Sequence, residues 1–289
     1  MTAVRCPQYA TIAIGGVLSL APVPELPLYL LTVPQHDRMR ISTGPASASL
    51  SGDGRYMAFT SYARLIPADT DDRSDVYVLD RTTGTASLES VGLDRFALNT
   101  DCAQPRISDD GRYVVFDTAI SSEDRTSTGT GVVLRDRTSG TVRLLSRGVS
   151  GDLPDGWSAG PAISDDGATI VFTSAATDLV RPDANGSMPD IYLVRQPGSI
   201  VTRISVNTQG LQPSAGSSVT PDLSAGGRFV VFSSTAELDA PAAGSRHAAG
   251  PRSGRPIWHL FVRDTRLNQT TRLAPKGRTP NGSSMQAVI

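Results

Sequence analysis

Apolar residues in this chain come in short bursts of two kinds, and the two kinds alternate. One is nearly continuous, as in YMAF at 56–59, YVVF at 113–116, TIVF at 169–172 and FVVF at 229–232. The other alternates with polar residues and follows downstream, as in DVYVLD at 75–80, GVVLRD at 131–136, DIYLVR at 190–195 and HLFVRD at 259–264. A last short run closes each set: TVRLL at 141, VTRISV at 201 and TTRL at 270. Bursts of this length, bounded by Gly, Pro, Asp and Ser, predict β-strands, the continuous ones covered on both faces and the alternating ones on one. Sustained helical periodicity is missing.

The bursts belong to an internal repeat. Its anchor reads SLSGDGRYMAFTS at 49, RISDDGRYVVFDT at 106, AISDDGATIVFTS at 162 and DLSAGGRFVVFSS at 222. The turn glycines Gly54, Gly111, Gly167 and Gly227 recur at intervals of 57, 56 and 60 residues. Each unit reads as four strands: one ending in Ile/Leu-Ser, a hairpin partner after the turn, a third run and a fourth after a Thr-Gly-type turn. Four-stranded units in tandem predict a β-propeller, with blades near 45–95, 101–148, 158–208 and 217–275.

Comparing the copies decides what the acids in the anchor are for. Asp109 and Asp110 stand where the fourth copy has Ala225 and Gly226. A carboxylate needed for chemistry cannot become glycine, whereas a hairpin corner needing positive φ accepts Asp-Gly and Gly-Gly alike. These acids are expected to form turns.

The two ends suggest how the ring closes. ATIAI at 10 resembles ATIVF at 168, and LYLLTVPQHDRMRIS at 28 resembles IYLVRQPGSIVTRIS at 191. The final NGSSMQAVI resembles AGSSVTPDLS at 215. Residues 8–42 with 280–289 therefore read as a fifth blade composed from both termini, which would tie down a free edge strand. A chain of 289 residues accommodates close to five such repeats. Two alternatives stay open: the apolar stretch in residues 1–25 as an export leader, and the chain as a fragment of a larger propeller protein.

Composition narrows the partners. Lys plus Arg is 27 against 28 for Asp plus Glu, so nothing in the charge favours nucleic acid or an anionic membrane, and no stable membrane insertion is expected. Cys6 and Cys102 form neither a CxxC pair nor a disulfide framework. The abundance of Gly (27) and Pro (20) suits a turn-rich β protein.

The pattern ISDDGRYVVF, followed by DVYVLDRTTGT at 75–85, resembles the WD-like propeller repeat of the TolB type over residues 49 to 274. That resemblance implies a bacterial periplasmic or secreted protein of the cell envelope that binds a partner through a propeller face. It specifies no ligand. The hydrolase domain that accompanies such propellers in prolyl oligopeptidase-like enzymes has no counterpart in the sequence.

Three groups of residues could carry chemistry. Asp69, Asp71 and Asp75 in blade one, and Asp183, Asn185 and Asp190 at the same point of blade three, offer alternating oxygen ligands of the kind calcium uses. Arg73 falls inside the first set and no bidentate Glu follows, so capping of loop turns competes with metal binding. The long insertion of blade four holds Arg246, His247, Arg252 and Arg255 ahead of Trp258, a set able to hold an anionic ligand or partner, or to form an excursion without function. Third, Asp80, Asp136 and Asp264 recur at equivalent strand ends, where ion pairing is expected.

No catalytic residue is assigned. His36, His247 and His259 are the only histidines, and no Gly-x-Ser-x-Gly elbow, P-loop or dinucleotide fingerprint occurs. The sequence thus predicts a non-catalytic all-β propeller that binds a protein, glycan or small-molecule partner. A propeller hydrolase or lyase acting on glycan or peptide is the alternative.

Overall fold

The computed structural model describes residues 47–92, 96–97, 101–122, 128–198, 200–239 and 256–273. The expected composite blade (8–42 with 280–289) and the insertion segment 240–255 lie outside the described residues, as does the leader alternative. Among the described residues there are four antiparallel sheets and no helix. Blade one contains β1 (Ala48–Leu50), β2 (Tyr56–Ser61), β3 (Asp75–Asp80) and β4 (Thr85–Leu88). Blade two contains β5 (Phe96–Ala97), β6 (Cys102–Ile107), β7 (Tyr113–Ser122), β8 (Thr128–Asp136) and β9 (Thr141–Leu144). Blade three is β10 (Ser158–Ile163), β11 (Thr169–Ser174), β12 (Asp190–Arg195) and β13 (Val201–Arg203), and blade four is β14 (Ser218–Leu223), β15 (Phe229–Ser234), β16 (His259–Asp264) and β17 (Gln269–Leu273).

Within each blade the strands pair in chain order, and the protein is an all-β propeller of four-stranded blades. Blade two departs from the rule. Its β5 pairs with the far end of β7 while β6 pairs with the near end, so β7 and β8 extend beyond their counterparts.

Packing follows the sequence pattern. Strand β11 is buried at every position and β15 at all but its first, as expected of runs covered on both faces. Cross-strand neighbours Phe59 and Tyr77, Phe172 and Tyr192, and Phe232 and Phe261 stack with ring centroids 5.9, 5.9 and 6.0 Å apart. Apolar clusters lie between blades: Ala58, Val76 and Val78 of blade one meet Val114 and Phe116 of blade two, and comparable clusters join blades two to three and three to four.

The hairpin between first and second strands does two jobs. Within a blade, the Ser108 hydroxyl donates to Asp110 Oδ1 (2.6 Å) and accepts the Tyr113 N–H (3.0 Å), and Ser51 and Ser164 repeat the pattern with Asp53 and Asp166. Between blades, the Gly52 N–H donates to Asp109 O, the Asp109 N–H to Asp165 O and the Asp165 N–H to Ala225 O, at 3.1, 2.9 and 2.9 Å. So of two adjacent acids, Asp110 closes the turn with its side chain and Asp109 joins blades with its main chain.

The equivalent strand ends carry the expected ion pairs. Arg55–Asp80, Arg112–Asp136 and Arg228–Asp264 approach to 2.7, 2.8 and 2.6 Å, with the arginines partly exposed. In blade three, Ala168 and Arg195 replace the pair, and Arg195 donates to Thr169 Oγ1 (3.2 Å) and to Thr265 Oγ1 of blade four (2.9 Å).

Candidate functional site

First strands of successive blades pack side by side, so their side chains converge. Each of β6, β10 and β14 shifts register against its partner, between Ala103 and Arg106, Ala159 and Ala162, and Val219 and Asp222. The cause is local: Pro105, Pro161 and Pro221 have no N–H to give the ladder, and a bulge absorbs the defect. The residue before each proline has positive φ: Gln104 (51°), Gly160 (65°) and Thr220 (53°). Glycine accepts this freely, but a β-branched threonine does so at a cost. Backbone strain of this kind gathers where a site has to be shaped.

These bulges border a pocket of about 490 Å³ lined by Gln104, Arg106, Trp157, Thr173, Thr220 and Asp222, with Ala159, Gly160, Pro161, Val219 and Pro221 forming its apolar wall. Trp157 is 43 % exposed although it is the largest side chain of the set, which leaves an indole surface available for stacking. Arg106 Nη1 donates to Ser47 Oγ at 3.2 Å and to Pro105 O at 3.3 Å, which holds the guanidinium in place. Behind Gly160 sits Asp117, whose Oδ1 accepts the Gly160 N–H at 3.4 Å. Burial pushes the Asp117 carboxyl up to about 6, against the lowering effects of that hydrogen bond and of Arg106. Its counterparts are Thr60, Thr173 and Ser233, so blade two alone among the four carries a carboxyl at this position.

The acidic loops differ from each other. In blade one, Asp69, Asp71 and Asp75 offer oxygens that all lie within 4.8 Å of one another. The Tyr77 hydroxyl donates to Asp69, the Asp71 N–H to Asp69 Oδ1 and the Arg73 N–H to Asp71 Oδ1. Burial raises the Asp75 pKa, and neighbouring Asp69, Asp71 and Asp101 add to the rise while Ser90 opposes it.

In blade three the space is filled from within. Arg203 lies 3.3 Å from Asp183 and 3.4 Å from Asp190, and the Gln212 amide reaches Asp183, Asn185 and Asp190 at 2.9, 2.6 and 2.7 Å. Arg203 pairs in register with Tyr192, as Leu88 does with Tyr77, so blade one has leucine where blade three has a guanidinium.

Of the insertion set, Arg246, His247, Arg252 and Arg255 lie outside the described residues. Trp258 is half-buried just ahead of β16. The pocket residues Gln104, Arg106, Trp157 and Thr220 were not singled out by sequence. Prolines repeated at 105, 161 and 221 were the available signal.

No family model matches the chain, and no curated protein matches it. Solved structures do. TolB from Acinetobacter baumannii is similar at 19 % identity and a TM-score of 0.44, over 80 % of this chain and 43 % of that one. The β-propeller domain of the trilobed protease from Pyrococcus furiosus follows at 9 % and 0.42, over 80 % and 57 %, and an oligogalacturonate lyase in complex with manganese at 13 % and 0.37, over 78 % and 64 %. The chain spans less than two thirds of each of these structures. The similarity concerns the fold.

Among the described residues no helix is long and apolar enough to cross a membrane.

Proposed function

We propose that this propeller is a non-catalytic binding scaffold that holds a protein, glycan or other polar small-molecule partner in the pocket between the first strands of blades two, three and four. The observation that carries the reading is the exposed Trp157 beside Arg106, Gln104 and Asp222 in a pocket of about 490 Å³, a volume typical of ligand sites. An indole face with a few placed polar groups suits a sugar ring or a peptide side chain. Titration of the full chain with oligosaccharides and with peptides, followed by calorimetry, tests it. Binding lost in Trp157→Ala and Arg106→Ala supports the pocket; binding unchanged in both removes it.

Asp117 favours a second reading. A carboxyl titrating near neutrality beside a pocket can act as a general acid or base, as a hydrolase or lyase would need. Turnover of any tested glycan or peptide that Asp117→Asn abolishes would displace the non-catalytic reading.

Calcium at Asp69, Asp71 and Asp75 belongs to this proposal as a loop-stabilising companion, and a calcium-dependent rise in Tm that Asp71→Asn removes is its test. The periplasmic or secreted setting comes from the repeat resemblance, and cell fractionation tests it.

A further inference from the structure

The residue that directly follows the fourth strand faces the next blade at each junction. Glu89, Leu145 and Ile204 occupy equivalent places, each donating its N–H to an equivalent residue of the third strand, at Val76 O, Val132 O and Ile191 O. Across the junction stand Arg135, Val194 and Arg263, equivalent by their pairing with Val114, Ile170 and Val230. Blades one and two set a buried Glu89 against Arg135 at 3.4 Å and Arg137 at 2.8 Å. Blades two and three set Leu145 against Val194 in one apolar cluster. Blades three and four are mismatched, because Arg263 is kept while the glutamate has become Ile204.

Arg263 is 5 % exposed. Among the described residues its partners are neutral: Asn207 O at 3.1 Å, Thr270 Oγ1 at 2.9 Å and Asn268 Oδ1 at 3.4 Å. Burial lowers its pKa and no carboxylate opposes that. Buried charge in proteins is normally paired, and an arginine without its anion is costly. Next to it is a groove of about 350 Å³, lined by Arg263, Arg195, Thr265 and the apolar Leu193, Ile200 and Ile204. Arg203 also borders the groove but is already engaged by Asp183 and Asp190. Ile200 is 81 % exposed, an unusual position for isoleucine.

We infer that this groove between blades three and four binds a small carboxylate with a short apolar tail, the carboxylate taking the place that Glu89 holds at the first junction. The guanidinium of Arg263 receives the anion, Arg195 adds positive charge at the rim, and the tail covers Ile200, Ile204 and Leu193. Such a group could be a free short-chain acid or the C-terminus of a peptide ending in an aliphatic residue. The site is separate from the first-strand pocket and does not depend on its role.

Ligand-observed NMR and calorimetry with the full chain test this, using hexanoate against hexanol, and N-acetyl-alanyl-leucine against its C-terminal amide. Hexanoate is expected to bind and hexanol to bind at least about tenfold more weakly, the loss of a charge-assisted contact. Tighter binding of the peptide acid than of hexanoate identifies a peptide terminus as the source, and the reverse order identifies a free acid. Arg263→Met should weaken hexanoate by about the same factor. Should that variant not fold, Ile200→Asp at the exposed rim puts a repelling charge into the groove without touching the core. Hexanoate binding equal to that of hexanol, or binding unaltered in a folded Arg263→Met or in Ile200→Asp, overturns the inference.

Discussion

The ring of Tyr56 in blade one lies over Gly111 in blade two so closely that a Cβ on that glycine would fall well under 3.0 Å from it. Tyr113 meets Gly167 and Thr169 meets Gly227 in the same way. Each of these glycines also has positive φ, between 66° and 70°. The turn glycine is therefore held by two demands, one from its own hairpin and one from the neighbouring blade.

Substitution separates the two demands. Gly84 has φ +72° and nothing within 4 Å, so Gly84→Ala meets only the backbone penalty, about 1 kcal/mol. Gly111→Ala adds the clash with Tyr56 and should cost about 3 kcal/mol. Urea unfolding of both variants measures this, and equal losses would show that the tyrosine simply swings aside.

At the first junction, Glu89→Met leaves Arg135 and Arg137 without their buried partner and should destabilise by about 3 kcal/mol, since breaking a buried pair from one side costs more than the pair contributes. Adding Arg135→Met should recover part of the loss. Additive losses in this double-mutant cycle would mean that the pair is not coupled.

The complementary change at the third junction is Ile204→Glu. A carboxylate there would neutralise Arg263 internally, as Glu89 neutralises Arg135, and hexanoate binding should disappear. Competitive titration reads this directly.

Asp117 gives stability a pH dependence. Its folded pKa, about 6, lies above the ordinary carboxylate value of 3.8, so the folded state holds the proton more tightly than the unfolded one between those values. Its ionisation therefore removes stability as pH rises from about 4 to about 6, on the order of 2–3 kcal/mol in all. Asp117→Thr, which restores the residue found at Thr60 and Thr173, should lose less stability than the parent between pH 4.5 and 7.5, the remainder belonging to Asp190, whose carboxyl burial also pushes up to about 6, and be more stable than the parent at pH 7.5. Unfolding free energies at the two pH values decide, and an equal loss in parent and variant would remove Asp117 as a source.

In blade one, Leu88→Arg would place a guanidinium where blade three has Arg203. It should raise Tm by pairing Asp69 and Asp75, and make any calcium response vanish. A lower Tm would mean that the loop has no room for the cation.

The repeat carried the fold in plain view because propeller blades reuse one hydrophobic pattern: DVYVLD and DIYLVR announce the same strand in blades one and three, and both are there. The first strand was harder to read. Its Pro105, Pro161 and Pro221 were visible and account for the bulges, but the positive φ of Gln104 and Thr220 is not something strand propensity encodes. Trp157 passed unnoticed because it precedes its strand in a loop whose sequence is particular to blade three. The Arg263 mismatch was in principle readable by aligning Glu89, Leu145 and Ile204, yet only the register showed which residue each one faces.

The main-chain bonds from Gly52 to Asp109, Asp165 and Ala225 run with one polarity, each turn giving its N–H to the next. The four positions hold Gly, Asp, Asp and Ala, and the bonds use the side chain of none of them. A tandem duplication of one blade would bring with it both the donor and the acceptor needed to join the series on either side. Copy number can change under this arrangement without a new interface having to be invented, and drift in the copies afterwards, as from Asp109 to Ala225, leaves the spacing of the turns intact.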